Sequence, residues 1–201
     1  MRIIAGELRG RTLRSVDGPG YRPATGRVRE ALFSMLESRG IAWPQCSVLD
    51  LFAGSGSLAF EAASRGARRV CLVENAPRAV QCLARNAAEL GLAAPRCRIL
   101  REDVLRLLAR RTRRGQTAPE ERFDVVFMDP PYGMNLAPAA LQALVRGQWL
   151  APDAFVVAEV ETRARIDETA PEGLARVGAR EYGQTRILLW QNRAAACVGS
   201  T

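Results

Sequence analysis

The chain has 201 residues and a formal charge of +8, contains no histidine, and all 29 of its basic residues are arginine. Those absences exclude imidazole acid–base catalysis, a His-dependent triad, Schiff-base chemistry and a P-loop lysine. Five scattered cysteines (Cys46, Cys71, Cys82, Cys97, Cys197) without a C-x-x-C pair argue for reduced thiols in a cytoplasmic protein, with no disulfide framework and no metal site.

No apolar run approaches the ~18 residues of a membrane span, and the start has no long apolar signal region. The length suits one large domain with a single core. A positive field of this size favours a polyanion, although a solvated basic face without a partner would carry the same charge. Residues 1–40 hold eight arginines against four acids.

In chain order, Arg2–Gly6 and Arg11–Arg14 read as a small N-terminal β-hairpin, and Asp17–Gly20 as a turn. Pro23 and Thr25 open a helix over about 27–38. Its apolar stripe is Val28, Ala31, Leu32 and Met35, with Arg27 and Arg29 off it. Val48–Leu51 is a buried strand running into Phe52-Ala53-Gly54-Ser55-Gly56-Ser57 and then a helix. Val70–Glu74 is a second strand. Asn75 caps and Pro77 starts a helix with Val80, Leu83, Ala84, Ala87 and Leu90 on one face. Arg98–Arg101 is a third strand, followed by Asp103 and a helix from Val104. After a polar loop at 112–121, Phe123–Asp129 is the fourth strand and ends in Pro130-Pro131-Tyr132. A helix over 138–146, a strand over 154–160, and an antiparallel pair (Leu174–Arg180 and Thr185–Gln191) close the fold. Residues 193–201 are a frayed tail.

The alternation predicts an α/β fold with a seven-stranded, mostly parallel sheet and helices on both faces. Residues 1–40 are then a basic extension, and 41–192 the main domain.

Gly54 and Gly56 permit positive φ and close approach of a ligand to the backbone. Strand, glycine loop and helix together make a nucleotide-type cofactor site. The loop also fits the dinucleotide fingerprint, with Glu74 about 20 residues on. Four acids at strand ends weigh against a pyrophosphate: Asp50, Glu74, Asp103 and Asp129. A cofactor with ribose hydroxyls, an adenine amine, an ammonium and a sulfonium suits them, which favours S-adenosylmethionine over NAD. In Asp129-Pro130-Pro131-Tyr132 the prolines remove two N–H donors, leaving the Asp129 carboxylate and the Pro130 carbonyl as acceptors for an exocyclic amine. Tyr132 offers a face on which a base can stack.

The glycine loop, Glu74, Asp103 and D-P-P-Y together resemble class I S-adenosylmethionine-dependent amino-methyltransferases, a Rossmann-like fold. The opening Met1-Arg2-Ile3-Ile4-Ala5-Gly6, Arg9-Gly10-Arg11 and the segment Arg22–Phe33 are similar to the bacterial 16S rRNA (guanine(966)-N(2))-methyltransferase family. Gly26 departs from that pattern, which has an acid there.

The resemblance implies methylation of a guanine N2 amine in 16S rRNA of the small ribosomal subunit, by a monomer without metal. Asp129, Pro130, Pro131 and Tyr132 are the implied catalytic set. Asp50, Phe52, Ala53, Gly54, Ser55, Gly56, Glu74, Asn75, Asp103, Val104 and Asp129 are the implied cofactor set. Arg2, Arg9, Arg11, Arg14, Arg22 and Arg27 are the implied RNA grip. A DNA adenine or cytosine amino-methyltransferase, a non-catalytic RNA-binding protein on the same fold and an NAD-linked oxidoreductase remain the rivals.

Overall fold

The computed structural model describes residues 1–16, 26–113, 121–131, 133–163, 166 and 171–193. The expected turn at 17–20, Arg22, Pro23, Thr25, Tyr132, Cys197 and the tail from 194 onward lie outside the described residues.

Seven strands form one mixed sheet in the order β3-β2-β1-β4-β5-β7-β6. By compactness the chain divides into Met1–Val104 and Leu105–Thr201. The first unit contains α1 (Gly26–Glu37), β1 (Ser47–Leu51), α2 (Ser57–Ser64), β2 (Arg69–Glu74), α3 (Pro77–Glu89) and β3 (Cys97–Arg101). Here β1 pairs in parallel with β2, and β2 with β3. Both β1 and the last five residues of β2 are buried, as an apolar strand covered on two faces must be.

The second unit contains the body of α4 (Val104–Arg113), then β4 (Phe123–Met128), α5 (Leu136–Arg146), β5 (Leu150–Glu161), β6 (Leu174–Tyr182) and β7 (Thr185–Asn192). In this unit β4 and β5 are parallel, while β7 runs antiparallel to both β5 and β6. The expected α5 start shifts back to Leu136, because Pro138 falls within the first turn, where no intrahelical N–H is needed.

The N-terminal hairpin is short. An antiparallel bridge joins Arg2 to Thr12, with backbone bonds from Ile3 N to Arg11 O at 3.0 Å, Gly10 N to Ile3 O at 2.9 Å and Leu13 N to Met1 O at 2.8 Å. Beyond Ile3 the chain turns to α2: the Glu61 carboxylate takes the Ile4 amide at 2.7 Å and the Ala5 amide at 3.0 Å. Ser64 adds a bond from its hydroxyl to the Ala5 carbonyl and accepts the Leu8 amide. At Gly6, φ is +83° and an added Cβ would lie 1.9 Å from the Ser64 carbonyl oxygen, so the segment reaches α2 only because that residue is glycine.

Glu61 also organises α1. Its carboxylate is fully buried, bonds Arg65 at 2.9 Å and lies 4.0 Å from the Arg29 guanidinium. The expected stripe on α1 is therefore rotated. Val28, Arg29, Leu32, Phe33 and Leu36 are buried, and Arg29 is not an outward residue. Arg29 also donates to the Arg2 carbonyl at 2.9 Å, and burial lowers its pKa. A helical periodicity cannot reveal a buried charge whose partner sits 32 residues away.

Glu61→Ala would remove the buried counter-charge of Arg29, one of the two acids bonded to Arg65, and the acceptor of two backbone amides. The expected loss is about 3–5 kcal/mol, measured by denaturant midpoint, with exchange protection lost at the Ile4 and Ala5 amides.

Candidate active site

The loop between β1 and α2 has the expected positive φ at Gly54 (54°) and Gly56 (81°), and also at Phe52 (62°). A non-glycine residue held there is strained. At Gly56 the missing Cβ serves packing. An added Cβ would lie 2.4 Å from the Phe60 ring and 2.8 Å from Leu83. The close approach at this position is made by the core, not left open for a ligand. The loop is tied back to β2 by the Ala53 amide, which donates to the Val73 carbonyl.

Glu74, the last residue of β2, holds three backbone amides. Oε2 accepts Gly54 N at 3.0 Å, and Oε1 accepts Asn75 N at 2.8 Å and Ala76 N at 2.9 Å. One carboxylate thus joins the glycine loop to the start of α3. It also replaces the expected cap. Asn75 is exposed, and Ala76 is the N-cap residue with no side-chain bond. Of the four lone-pair positions on the carboxylate, the one left open is on Oε2.

Asp50 is also occupied. Its Oδ2 accepts the Ala59 amide at 3.1 Å, satisfying one of the unpaired amides in the first turn of α2. It is buried and makes no other side-chain hydrogen bond among the described residues. Burial pushes its carboxyl up to about 7; the Ala59 amide opposes that rise and the charge of Glu74 adds to it. A negative potential therefore lies at the carboxyl ends of β1 and β2. Asp103 is half-buried two residues after β3, and Val104 is buried at the start of α4. The first unit thus brings Asp50, Phe52–Gly56, Glu74 and Asp103 to the ends of three adjacent parallel strands.

In the second unit, Asp129 directly follows β4 and is half-buried, Pro130 is buried and Pro131 is exposed. Among the arginines, Arg2, Arg9 and Arg27 are exposed with no side-chain partner among the described residues. Arg11 and Arg14 instead converge on the end of α3. Arg11 donates to the Glu89 carbonyl, and Arg14 pairs with the Glu89 carboxylate at 2.6 Å.

The sequence reading missed Asn86. It is fully buried on α3, in a face made by Ala79, Leu83, Asn86 and Ala87; Ala84, expected there, is exposed. Its Oδ1 accepts Arg14 N at 2.9 Å, and its Nδ2 donates to Arg14 O at 3.1 Å and Ser55 O at 3.0 Å. The N-terminal segment and the glycine loop are thereby held by one amide. An asparagine between Leu83 and Leu90 at core spacing was the available signal. Cys97 is a core residue whose thiol burial pushes up to about 11, far from a nucleophile. Among the described residues, no group of three or more His, Cys, Asp or Glu could hold a metal, and no helix is long and apolar enough to cross a membrane.

A seven-stranded mixed sheet with a glycine loop after β1, closed by an acid at the end of β2, is the Rossmann-like fold of a class I methyltransferase. Residues 1–191 match the family model described as Conserved hypothetical protein 95. The chain is 36% identical to Ribosomal RNA small subunit methyltransferase D of Haemophilus influenzae, over 96% of this chain and 94% of that one. It is also 36% identical to the protein of the same name from Escherichia coli K12, over 96% and 91%. The solved structure of yhhF from Escherichia coli superposes with a TM-score of 0.79 at 33% identity, covering 97% of this chain and 99% of that one. The chain belongs to the ribosomal RNA small subunit methyltransferase D family.

The Asp50 shift has a measurable consequence. An unfolded aspartate titrates near 3.9 and the folded one near 7, so the folded state binds the extra proton between those values. Stability from this group is full below about pH 4 and is lost as the pH rises through 7. Asp50→Asn keeps an acceptor for Ala59. Its melting temperature should fall less than that of the wild type between pH 4 and pH 7, measured without cofactor; parallel curves would contradict the assignment.

Proposed function

We propose that the chain methylates the exocyclic N2 amine of a guanine in the RNA of the small ribosomal subunit, using S-adenosylmethionine. The observation that carries this reading is the acceptor-only end of β4, Asp129-Pro130-Pro131, in a chain of this family. Two relatives at 36% identity have names that specify small-subunit ribosomal RNA.

The residues present fit the cofactor. Asp50 is already pushed towards its neutral form by burial and by Glu74. A pyrophosphate beside them would deepen that cost, while an ammonium or sulfonium would relieve it. Glu74 Oε2 can accept one ribose hydroxyl without releasing Gly54. Acceptance of both hydroxyls by Glu74 requires an amide to leave the carboxylate. Asp103 suits the adenine amine. Bound there, S-adenosylmethionine supplies a methyl carbon made electrophilic by its sulfonium.

The chain's own part is orientation. The Asp129 carboxylate and the Pro130 carbonyl accept the two amine hydrogens, which frees the nitrogen lone pair from conjugation with the ring and aims it. The Asp129 carboxylate would take the proton that the nitrogen gives up when it accepts the methyl group and the methyl–sulfur bond breaks. The base reaches such a pocket only when extruded from its stack, and Tyr132 suits the face it would rest on. Arg2, Arg9 and Arg27 are the arginines best able to grip phosphates, since their side chains have no acidic partner among the described residues.

Incubation with labelled S-adenosylmethionine and small subunits from cells lacking the enzyme should place the label on one guanine as N2-methylguanine. Asp129→Ala should lower kcat by about 100-fold or more while cofactor affinity changes little; wild-type turnover would reject the role.

Replacing Arg2, Arg9 and Arg27 together by Gln should reduce the slope of log K against log salt by about 2–3. The same change at Arg14 should reduce it by less, since Glu89 already neutralises that charge. An unchanged slope in the triple variant would remove these residues from the RNA surface.

A further inference from the structure

One acid in the second unit has no part in the chemistry described so far. From Ala154 to Val160, β5 is buried, and Glu159 is the only charged residue in that run. It is 6% exposed. No hydrogen bond or salt bridge to its carboxyl group is found among the described residues. A carboxyl buried in this way beside the end of β4 is a candidate for a ligand.

Its place in the sheet says which ligand. Met128, the last residue of β4, is in register with Ala158. Glu159 therefore lies one residue beyond the end of β4, at the level where the chain turns into Asp129-Pro130-Pro131. On the other side, Glu159 is paired with Ile187 of β7. Arg186 pairs with Val160 and so faces the opposite side of the sheet. Neither neighbouring strand sets a cation beside Glu159. Burial pushes the group up to about 7, so near neutral pH a large share is held as the carboxylic acid.

A carboxylic acid has one O–H donor and one carbonyl acceptor side by side. Guanine presents the complementary pair next to its amine: N1–H donates and O6 accepts. We propose that Glu159 reads the target base, its carboxyl group pairing with the N1–H and O6 edge of the guanine whose N2 amine is presented to Asp129. This rests on the reading of the preceding subsection and adds to it the residue that selects the base. The two carboxyl groups then have separate tasks, with Asp129 taking the reacting amine and Glu159 the lactam edge beside it.

2-Aminopurine keeps the 2-amino group but lacks both O6 and N1–H. Small-subunit RNA assembled with 2-aminopurine at the mapped nucleotide tests the pairing directly. Wild-type kcat/KM should be about 100-fold or more lower on it than on guanine, because a site built for a hydrogen bond rejects the analogue that lacks it. In Glu159→Leu the two bases should be used within about 5-fold of each other, through loss of activity on guanine. Glu159→Gln, whose amide retains one donor and one acceptor, should keep most of the discrimination. Melting temperature and S-adenosylmethionine titration check each variant for folding and for the cofactor site.

Equal rates on the two bases in the wild type overturn the proposal without any variant. So does wild-type discrimination in Glu159→Leu; should that variant not fold, lost discrimination in Glu159→Gln does the same. If the product is not N2-methylguanine, the proposed function itself falls. If it is, and 2-aminopurine is accepted as readily as guanine, only the role of Glu159 falls.

Discussion

A single carboxylate ties together the glycine loop, β2 and α3 of the first unit. Glu74 accepts amides from Gly54, Asn75 and Ala76, so the glycine loop after β1 and the first turn of α3 close onto the end of β2. Hydrogen bonds to a charged group contribute about 1.5–3 kcal/mol each, and these three act on a loop whose Phe52 already sits at a strained positive φ. That acceptor acts together with the Ala53 amide on Val73 and the Asn86 amide on Ser55 to hold the loop in shape. The group that would read a ribose is thus also the group that builds the place where the ribose would lie.

The same economy of acids runs through the first unit. In a chain dominated by arginine, several of its acids lie inside: Asp50, Glu61 and Glu74 are all buried. Glu61 and Glu74 collect backbone amides from segments far apart in sequence, and Asp50 caps α2 from the strand beneath it. A carboxylate does this well because it accepts several bonds and carries full charge. Clustering them has a cost, visible in Asp50, whose carboxyl is pushed towards neutrality. That stored electrostatic imbalance is what a cationic cofactor can relieve and an anionic one cannot.

The N-terminal segment is fastened by its backbone as well as by Arg11 and Arg14, which bond Glu89. Ile4, Ala5 and Leu8 donate to side chains on α2, and Arg14 is bracketed through its own amide and carbonyl by Asn86. Anchoring through the main chain leaves the Arg2 and Arg9 guanidinium groups exposed. Asn86 also holds the Ser55 carbonyl, so the segment that carries those arginines and the glycine loop share one support.

The sequence by itself determined the order of strands and helices, the glycine loop and its helix, and the acids at the strand ends. These are local patterns: periodicity, turn chemistry and motif spacing all act over a few residues. Only the tertiary structure decided what those residues do at once. The hairpin stayed short because beyond Ile3 the Ile4 and Ala5 amides found their acceptor in Glu61. Arg29 turned inward because that same acid, distant in sequence, was there to meet it. Asn75 lost its capping role to Glu74, Gly56 made room for Phe60, and Asn86 and Glu159 became visible as polar groups in the core. Each of these outcomes depends on which segments touch, and a charge or an amide chooses its partner by distance in space, which a linear pattern does not contain.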